Sequence, residues 1–298
     1  MIERYRQEII NKIWSDENKL FLWQKTELAV IKAKANLGQI SQEDSDRIHK
    51  ILIDNPIDIT HWKQLEEDLR HDLNAFLEER RRFLPENLKL HLHSDGMTSY
   101  DTEEAPFASM LKESISFVIK DFMQLQEILT RMSLEYQHTI MIGRTHGQEA
   151  ELQTFGKRCL TWLGDLQISF ENLQQAIKVL KYSKLSGAIG NYGGLSPKVE
   201  KEALTILGFE PFFGATQIMP RELYTPVAGA LNQLVLSIDK IAIDIRLGAR
   251  SGKPIYQEPF GKKQMGSSTM PHKRNTISAE QLRGMARLAK GFSSSLIE

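Results

Sequence analysis

The chain of 298 residues predicts an all-α protein: a bundle of long helices with a small helical N-terminal domain. Two observations lead there. The stretches 103–136, 149–181 and 221–248 carry few helix breakers, and each is more than twice as long as an average globular helix. Apolar residues recur at helical spacing through most of the chain, so little β structure is expected.

Taken in order, residues 1–14 read as a lead-in. Ser15 is a candidate N-cap, with Asp16 and Glu17 in the first turn, where the helix dipole favours carboxylates. Leu20, Trp23, Leu28, Ile31 and Ala35 form the apolar stripe, and Gly38 ends the helix. Ser41 caps a second helix that passes Ile51, and Pro56 breaks it. One helix is expected from His61 to Arg82, stopped by Pro85. These pieces make up the N-terminal domain, 1–96, and a long-helix domain fills 97–298.

In that second part the stretch from Leu90 to Asp101 reads as a polar turn, and Pro106 is expected within the first turn of the helix that follows. The spacing then predicts a loop at 141–147, a helix from Glu149 to Lys181 and a glycine-rich loop from Ser186 to Gly194. Ser196-Pro197 opens a short helix that ends at Gly208. A helix over 221–248, kinked at Pro226, and one from Asn275 or Ile277 past Lys290 complete the chain. Rods of about 30 residues span roughly 45 Å and need long partners. The apolar residues of 221–248, from Val227 through Leu231, Val235, Ile238 and Ile241 to Ile245, cover more than one stripe. That pattern fits the middle of an oligomer or the centre of a single-chain bundle.

Bulk properties remove several function classes. Lys+Arg and Asp+Glu are both 38, a poor footprint for nonspecific nucleic-acid binding. The single cysteine, Cys159, allows no intrachain disulfide and no multi-thiolate zinc site. No apolar run of membrane-spanning length and no signal-peptide core is evident, so a cytoplasmic protein with no membrane partner is expected. His91 and His93 are spaced like strand ligands, but no third metal ligand is recognisable, and there is no phosphate-loop or dinucleotide fingerprint.

Four stretches carry chemically capable residues. Arg70-His71-Asp72 reads either as a helix-surface triplet or as part of a site. Thr98-Ser99-Tyr100-Asp101 has the composition of a capping turn. Gly143-Arg144-Thr145-His146-Gly147-Gln148 places a histidine, a candidate general acid or base, in a glycine-flanked loop. Gly266-Ser267-Ser268-Thr269-Met270-Pro271-His272-Lys273-Arg274-Asn275 is the most unusual. Its hydroxyls and cations suit an anionic ligand, and Lys273 and Arg274 supply the positive charge a serine needs to act as a base. A basic surface loop is the plainer reading of the same residues.

Together these motifs resemble the fumarase/aspartase superfamily. The Gly266–Asn275 loop carries that resemblance. The Arg70-His71-Asp72 triplet, His146 in its loop and the opening Met1-Ile2-Glu3-Arg4-Tyr5 narrow it to the adenylosuccinate lyase family. The resemblance covers essentially the whole chain. It implies a fumarase/aspartase-type bundle that assembles as a homotetramer, with each active site drawing loops from three subunits. It also implies β-elimination of fumarate from small succinyl nucleotides, adenylosuccinate (giving AMP) and SAICAR (giving AICAR). No cofactor is needed, because the bond polarity lies in the substrate.

By the same resemblance Ser267 is the base and His146 the acid, with His71 supporting acid chemistry at the leaving group. Lys273 and Asn275 stabilise the carboxylate or oxyanion. Thr98 and Ser99 hold the succinyl carboxylates, and Gln217 contacts the succinyl part. Asp72 orients His71 or touches the ligand, and Arg4 and Tyr5 hold the nucleotide end. Arg70, Thr145, Ser268 and Arg274 complete the binding set.

The chain departs from the family pattern in three ways. Family members continue into a small helical C-terminal domain, so this chain is expected to be shortened. Thr276 stands where the family commonly has proline. His93 is displaced by one position from the usual histidine before the Thr-Ser turn. A sister lyase or cycloisomerase, or an inactive shortened scaffold, are the alternatives.

Overall fold

The computed structural model describes residues 3–297, and 65 % of it is helical, in line with the all-α expectation. A 3-10 turn, Glu3–Tyr5, and α1 (Glu8–Ile13) lie in what the sequence presents as a lead-in. Ser15 caps α2 (Asp16–Asn36), its Oγ accepting from the Asn18 N–H at 3.2 Å. Ser41 likewise caps α3 (Gln42–Asp54).

The single helix expected over 61–82 is two helices, α4 (Ile59–Leu69) and α5 (Asp72–Arg81). Arg70 takes φ +53 and ends α4. His71 is extended, and its ring Nδ1 accepts from the Asn74 N–H at the start of α5. The break is invisible to periodicity because the apolar residues of both helices face the same core. A short α6 (Glu86–Lys89) follows.

The polar turn ends earlier than expected, and α7 (Ser99–Glu135) runs for 37 residues. Pro106 therefore lies inside α7 rather than in its first turn.

The next expectation fails more deeply. Residues 140–154 are neither loop nor helix but an antiparallel hairpin, β1 (Ile140–Thr145) and β2 (Gln148–Thr154). His146 (φ +54) and Gly147 (φ +80) form its two-residue turn, in the conformation that suits the right-handed twist of paired strands. Thr154 then caps α8 (Phe155–Ala176), which begins six positions later than the sequence suggests.

After a 3-10 turn at Ile177–Lys181, β3 (Tyr182–Ser183) pairs in parallel with β4 (Glu210–Pro211). Between them α9 (Pro197–Leu207) has the expected Ser196 cap, and Gly208 closes it with φ +79, a conformation only glycine adopts without strain. Arg221–Leu223 is a 3-10 turn, and α10 (Thr225–Gly248) starts just before Pro226. Pro226 thus occupies the first turn, where its missing N–H costs nothing, rather than the helix interior. The last helix is α11 (Ile277–Ile297).

The chain forms two compact units. The first comprises Met1–Phe117 and Val179–Leu223, and contains all of 1–96. Its core joins Leu20, Trp23, Ile48, Trp62, Phe76 and Leu88; a second cluster sets Val30 and Ala33 of α2 against Val199 and Leu204 of α9. Fully burying each of the Val, Leu, Ile and Phe side chains among them contributes about 1.5–3 kcal/mol. Within the first core lies a fully buried Glu79–Arg80 ion pair, and Arg80 also donates to Gln24 Oε1 and the Asn55 carbonyl.

The second unit comprises Val118–Lys178 and Tyr224–Glu298. Here α10 packs against both α8 and α11. The Ser169 and Ser237 hydroxyls pair at 2.7 Å, and Trp162 Nε1 donates to Asp244 at 2.7 Å. Only part of α10's apolar surface is covered. Val227 and Leu234 are buried, but Leu236 and Leu247 are 44 % and 50 % exposed. No helix among the described residues is long and apolar enough to cross a membrane.

Candidate active site

The sequence-expected residues divide between the two units. In the first, Arg4 and Tyr5 lie on the opening 3-10 turn. Arg70, His71 and Asp72 form the α4–α5 junction, so backbone geometry rather than a helix face sets their directions. Asp72 is anchored there: its carbonyl accepts from Trp62 Nε1 at 3.0 Å, and its Oδ1 from the Leu73 N–H at 2.8 Å. His71 Nδ1 stands 3.9 Å from Asp72 Oδ1, too far for a hydrogen bond.

Thr98 and Ser99 sit at the N-terminus of α7. Thr98 Oγ1 accepts from Gln217 Nε2 at 3.4 Å, although the two residues are 119 positions apart. Thr98, Ser99 and Gln217 were grouped at the succinyl end by resemblance, and the fold brings Thr98 and Gln217 together. Asp101 also takes part, accepting the Thr98 N–H at 2.9 Å.

His93 has a defined place. Its φ is +53, and Glu27 holds it through both backbone and ring. Thr102 Oγ1 also donates to Glu27, at 2.6 Å. Burial alone would raise the Glu27 pKa, but the bonds from His93 and Thr102 outweigh it and lower the value. Glu27 is therefore a carboxylate, and His93 Nδ1 carries the proton it shares with it. Neither Glu27 nor Thr102 carries a motif signal.

Glu103 was missed as well. It lies one turn beyond Ser99 on α7, and its pKa is pushed up to about 7, first by burial and then by the nearby Asp72 carboxylate. A carboxyl four residues after a serine on one helix was the available clue.

In the second unit Thr145 and His146 stand exposed at the tip of the β1–β2 hairpin, not ahead of a helix. The Gly266–Asn275 loop folds back on itself. Asn275 Nδ2 donates to the Gly266 carbonyl at 2.8 Å, joining the two ends. A Cβ at Gly266 would lie 2.0 Å from the Lys273 carbonyl oxygen, so only glycine fits. Ser267 Oγ accepts from the N–H groups of Met270 (3.1 Å) and Thr269 (3.3 Å).

Met270, His272, Lys273, Arg274 and Asn275 line a cavity of about 580 Å³ together with Arg246 and Arg250 of the preceding segment. Ser267 and Ser268 are not part of that lining. Arg274 also lies over the Phe260 ring at 5.3 Å. Two carboxylates also line the cavity, Glu280 and Glu258, the latter accepting from the N–H groups of Ser278 and Ala279 at the start of α11. Arg246, Arg250, Lys273 and Arg274 against these two carboxylates leave the cavity net cationic, suited to an anionic ligand.

Comparison with known proteins shows the family and the fold. A family profile described as "Lyase" matches residues 1–291. The adenylosuccinate lyase of Thermotoga maritima is 34 % identical over 298 residues, covering 100 % of this chain and 68 % of that protein. The adenylosuccinate lyase of Bacillus subtilis is 34 % identical over 300 residues, with the same coverage. Among solved structures, a fumarate lyase from Mesorhizobium sp. BNC1 superposes with a TM-score of 0.84 at 19 % identity, over 97 % of this chain and 66 % of that one. The 3-carboxy-cis,cis-muconate lactonizing enzyme of Pseudomonas putida gives 0.82 at 24 % identity, over 96 % and 64 %. These two likenesses establish the fold. The chain spans about two thirds of the length of the relatives it matches. With a profile match over nearly its whole length and relatives at this identity, the chain belongs to the lyase family.

Proposed function

We propose that this chain carries the activity of an adenylosuccinate lyase: β-elimination of fumarate from adenylosuccinate, leaving AMP, and from SAICAR, leaving AICAR, in purine biosynthesis. The observation that carries the reading is similarity to curated adenylosuccinate lyases over the full length of this chain. The folded Gly266–Asn275 loop supports it from the chemical side.

The proton to be removed sits on carbon beside a carboxylate and is weakly acidic. Its removal drives charge onto that carboxylate, which then needs donors already in place. Lys273 and Asn275 take this role. Ser267 is the base, and the two N–H groups aimed at its Oγ lower the cost of negative charge there. As the C–N bond breaks, the leaving nitrogen receives a proton from His146, supported by His71. Thr98, Ser99 and Gln217 hold the succinyl carboxylates, while Thr145, Ser268 and Arg274 add contacts around them. Arg4, Tyr5, Arg70 and Asp72 face the nucleotide end.

The protein works as a cytoplasmic homotetramer whose active sites are shared between copies. The half-exposed Leu236 and Leu247 of α10 support burial against other copies. The test is fumarate release from adenylosuccinate, run beside His146→Ala and Ser267→Ala. Turnover lost in both variants supports the assignment. Turnover unchanged in both overturns the roles, and none by a folded, tetrameric parent overturns the activity.

A further inference from the structure

Asp101 and Lys184 form an ion pair of 2.7 Å with both side chains at 0 % exposure. Asp101 accepts from four donors: the N–H groups of Thr98, Ser186 and Gly187, and Lys184 Nζ. Lys184 Nζ donates to three acceptors: Asp101, the Gly187 carbonyl at 3.0 Å and the Gln217 carbonyl at 2.7 Å. A carboxylate offers about four acceptor sites and an ammonium three donors, so both groups are fully satisfied.

Such a pair adds little net stability, because desolvating two charges costs about as much as their attraction returns. Its effect is on geometry. It joins three segments distant in sequence: the start of α7, the glycine-rich loop after β3 and the strand of chain before the 221–223 turn. At two of these it grips the backbone of a candidate ligand-binding residue, the Thr98 N–H and the Gln217 carbonyl. The side chains of those two residues then meet at 3.4 Å.

We infer that the buried Asp101–Lys184 pair is a positioning device that fixes the Thr98 hydroxyl and the Gln217 amide as a two-point cradle for one carboxylate of the substrate. Neither Asp101 nor Lys184 touches the ligand; they act through the backbones they hold. The inference rests on the lyase reading for the identity of the carboxylate, but not for the geometry.

The test uses Asp101→Asn, Lys184→Met and the double variant, with adenylosuccinate turnover and amide hydrogen exchange as readouts. A misplacement of about 1 Å at a binding group costs up to roughly 100-fold. Both single variants should raise KM by about tenfold or more, with a smaller change in kcat for the folded fraction. The double variant, which buries no unpaired charge, should regain melting temperature but keep the raised KM. Exchange should quicken across 96–102 and 215–219 together. A double variant with parental KM overturns the inference, as do single variants that lose only melting temperature. If the parent turns over no adenylosuccinate, the lyase reading fails by itself; exchange then decides the positioning role, and unchanged protection at both segments overturns it.

Discussion

Glu27 and His93, 66 positions apart, are joined twice: the His93 N–H donates to Glu27 Oε2 at 2.8 Å, and His93 Nδ1 to Oε1 at 3.0 Å. One buried carboxylate thereby fixes a backbone in the left-handed region and the direction of an imidazole. Glu27→Ala leaves the His93 N–H and the Thr102 hydroxyl without their acceptor, and should cost about 2–4 kcal/mol in urea denaturation. The sign with pH follows from the lowered Glu27 pKa. Its contribution is present above the unfolded value of 4.5 and is lost as pH falls through the lower folded value. The stability gap between parent and Glu27→Ala should therefore narrow in acid.

Glu103 behaves in the opposite sense. Its folded pKa of about 7 exceeds the model-compound value of 4.5. Between those values the unfolded chain has released the proton and the folded chain still holds it, so stability falls as pH rises through that window. Glu103→Gln should leave the melting temperature nearly unchanged at pH 4 and raise it at pH 8. A constant difference across that range would contradict the assignment.

Gly266→Ala tests the loop without removing a functional group. Its Cβ would collide with the Lys273 carbonyl, so the loop has to open and Lys273 and Asn275 shift. Because the loop is largely exposed, melting should change by no more than about a degree or two. Fumarate release should fall by on the order of 100-fold.

Asp239 of α10 holds α11 through Arg283 and Lys290, each at 3.0 Å. Burial favours the neutral acid, but the bonds from Lys290 and Arg283 prevail and its pKa is lowered. Asp239→Ala should destabilise the second unit by about 1.5–3 kcal/mol, the range for hydrogen bonds to charged groups. Proteolysis within 277–297 should quicken with it.

If α10 is the centre of a tetramer, Leu236→Glu with Leu247→Glu should move the sedimentation profile toward smaller species at micromolar concentration. An unchanged profile would place the interface elsewhere.

The sequence by itself determined what is local. Ser15, Ser41 and Ser196 cap the helices expected of them, because a hydroxyl and an N–H three residues on meet in any chain that starts a helix. Gly208 ends α9 for a similarly local reason. The Gly266–Asn275 loop stood out as a candidate site because its residue types are so unusual together. What the sequence did not decide depends on partners far along the chain. Residues 141–147 carry glycines and polar residues that suit a loop, and the stretch from Glu149 reads as helix. Only pairing of Ile140 with Thr154 and Thr145 with Gln148 makes 140–154 a hairpin. The break at Arg70 is set by packing α4 and α5 on one core. Lys184, Glu27 and Thr102 look like ordinary helix and loop residues, and Asp101 like part of a capping turn, until folding removes them from water. There an unpaired charge is too costly to keep, so the tertiary structure chooses the partners, and with them the positions of Thr98, Gln217 and His93.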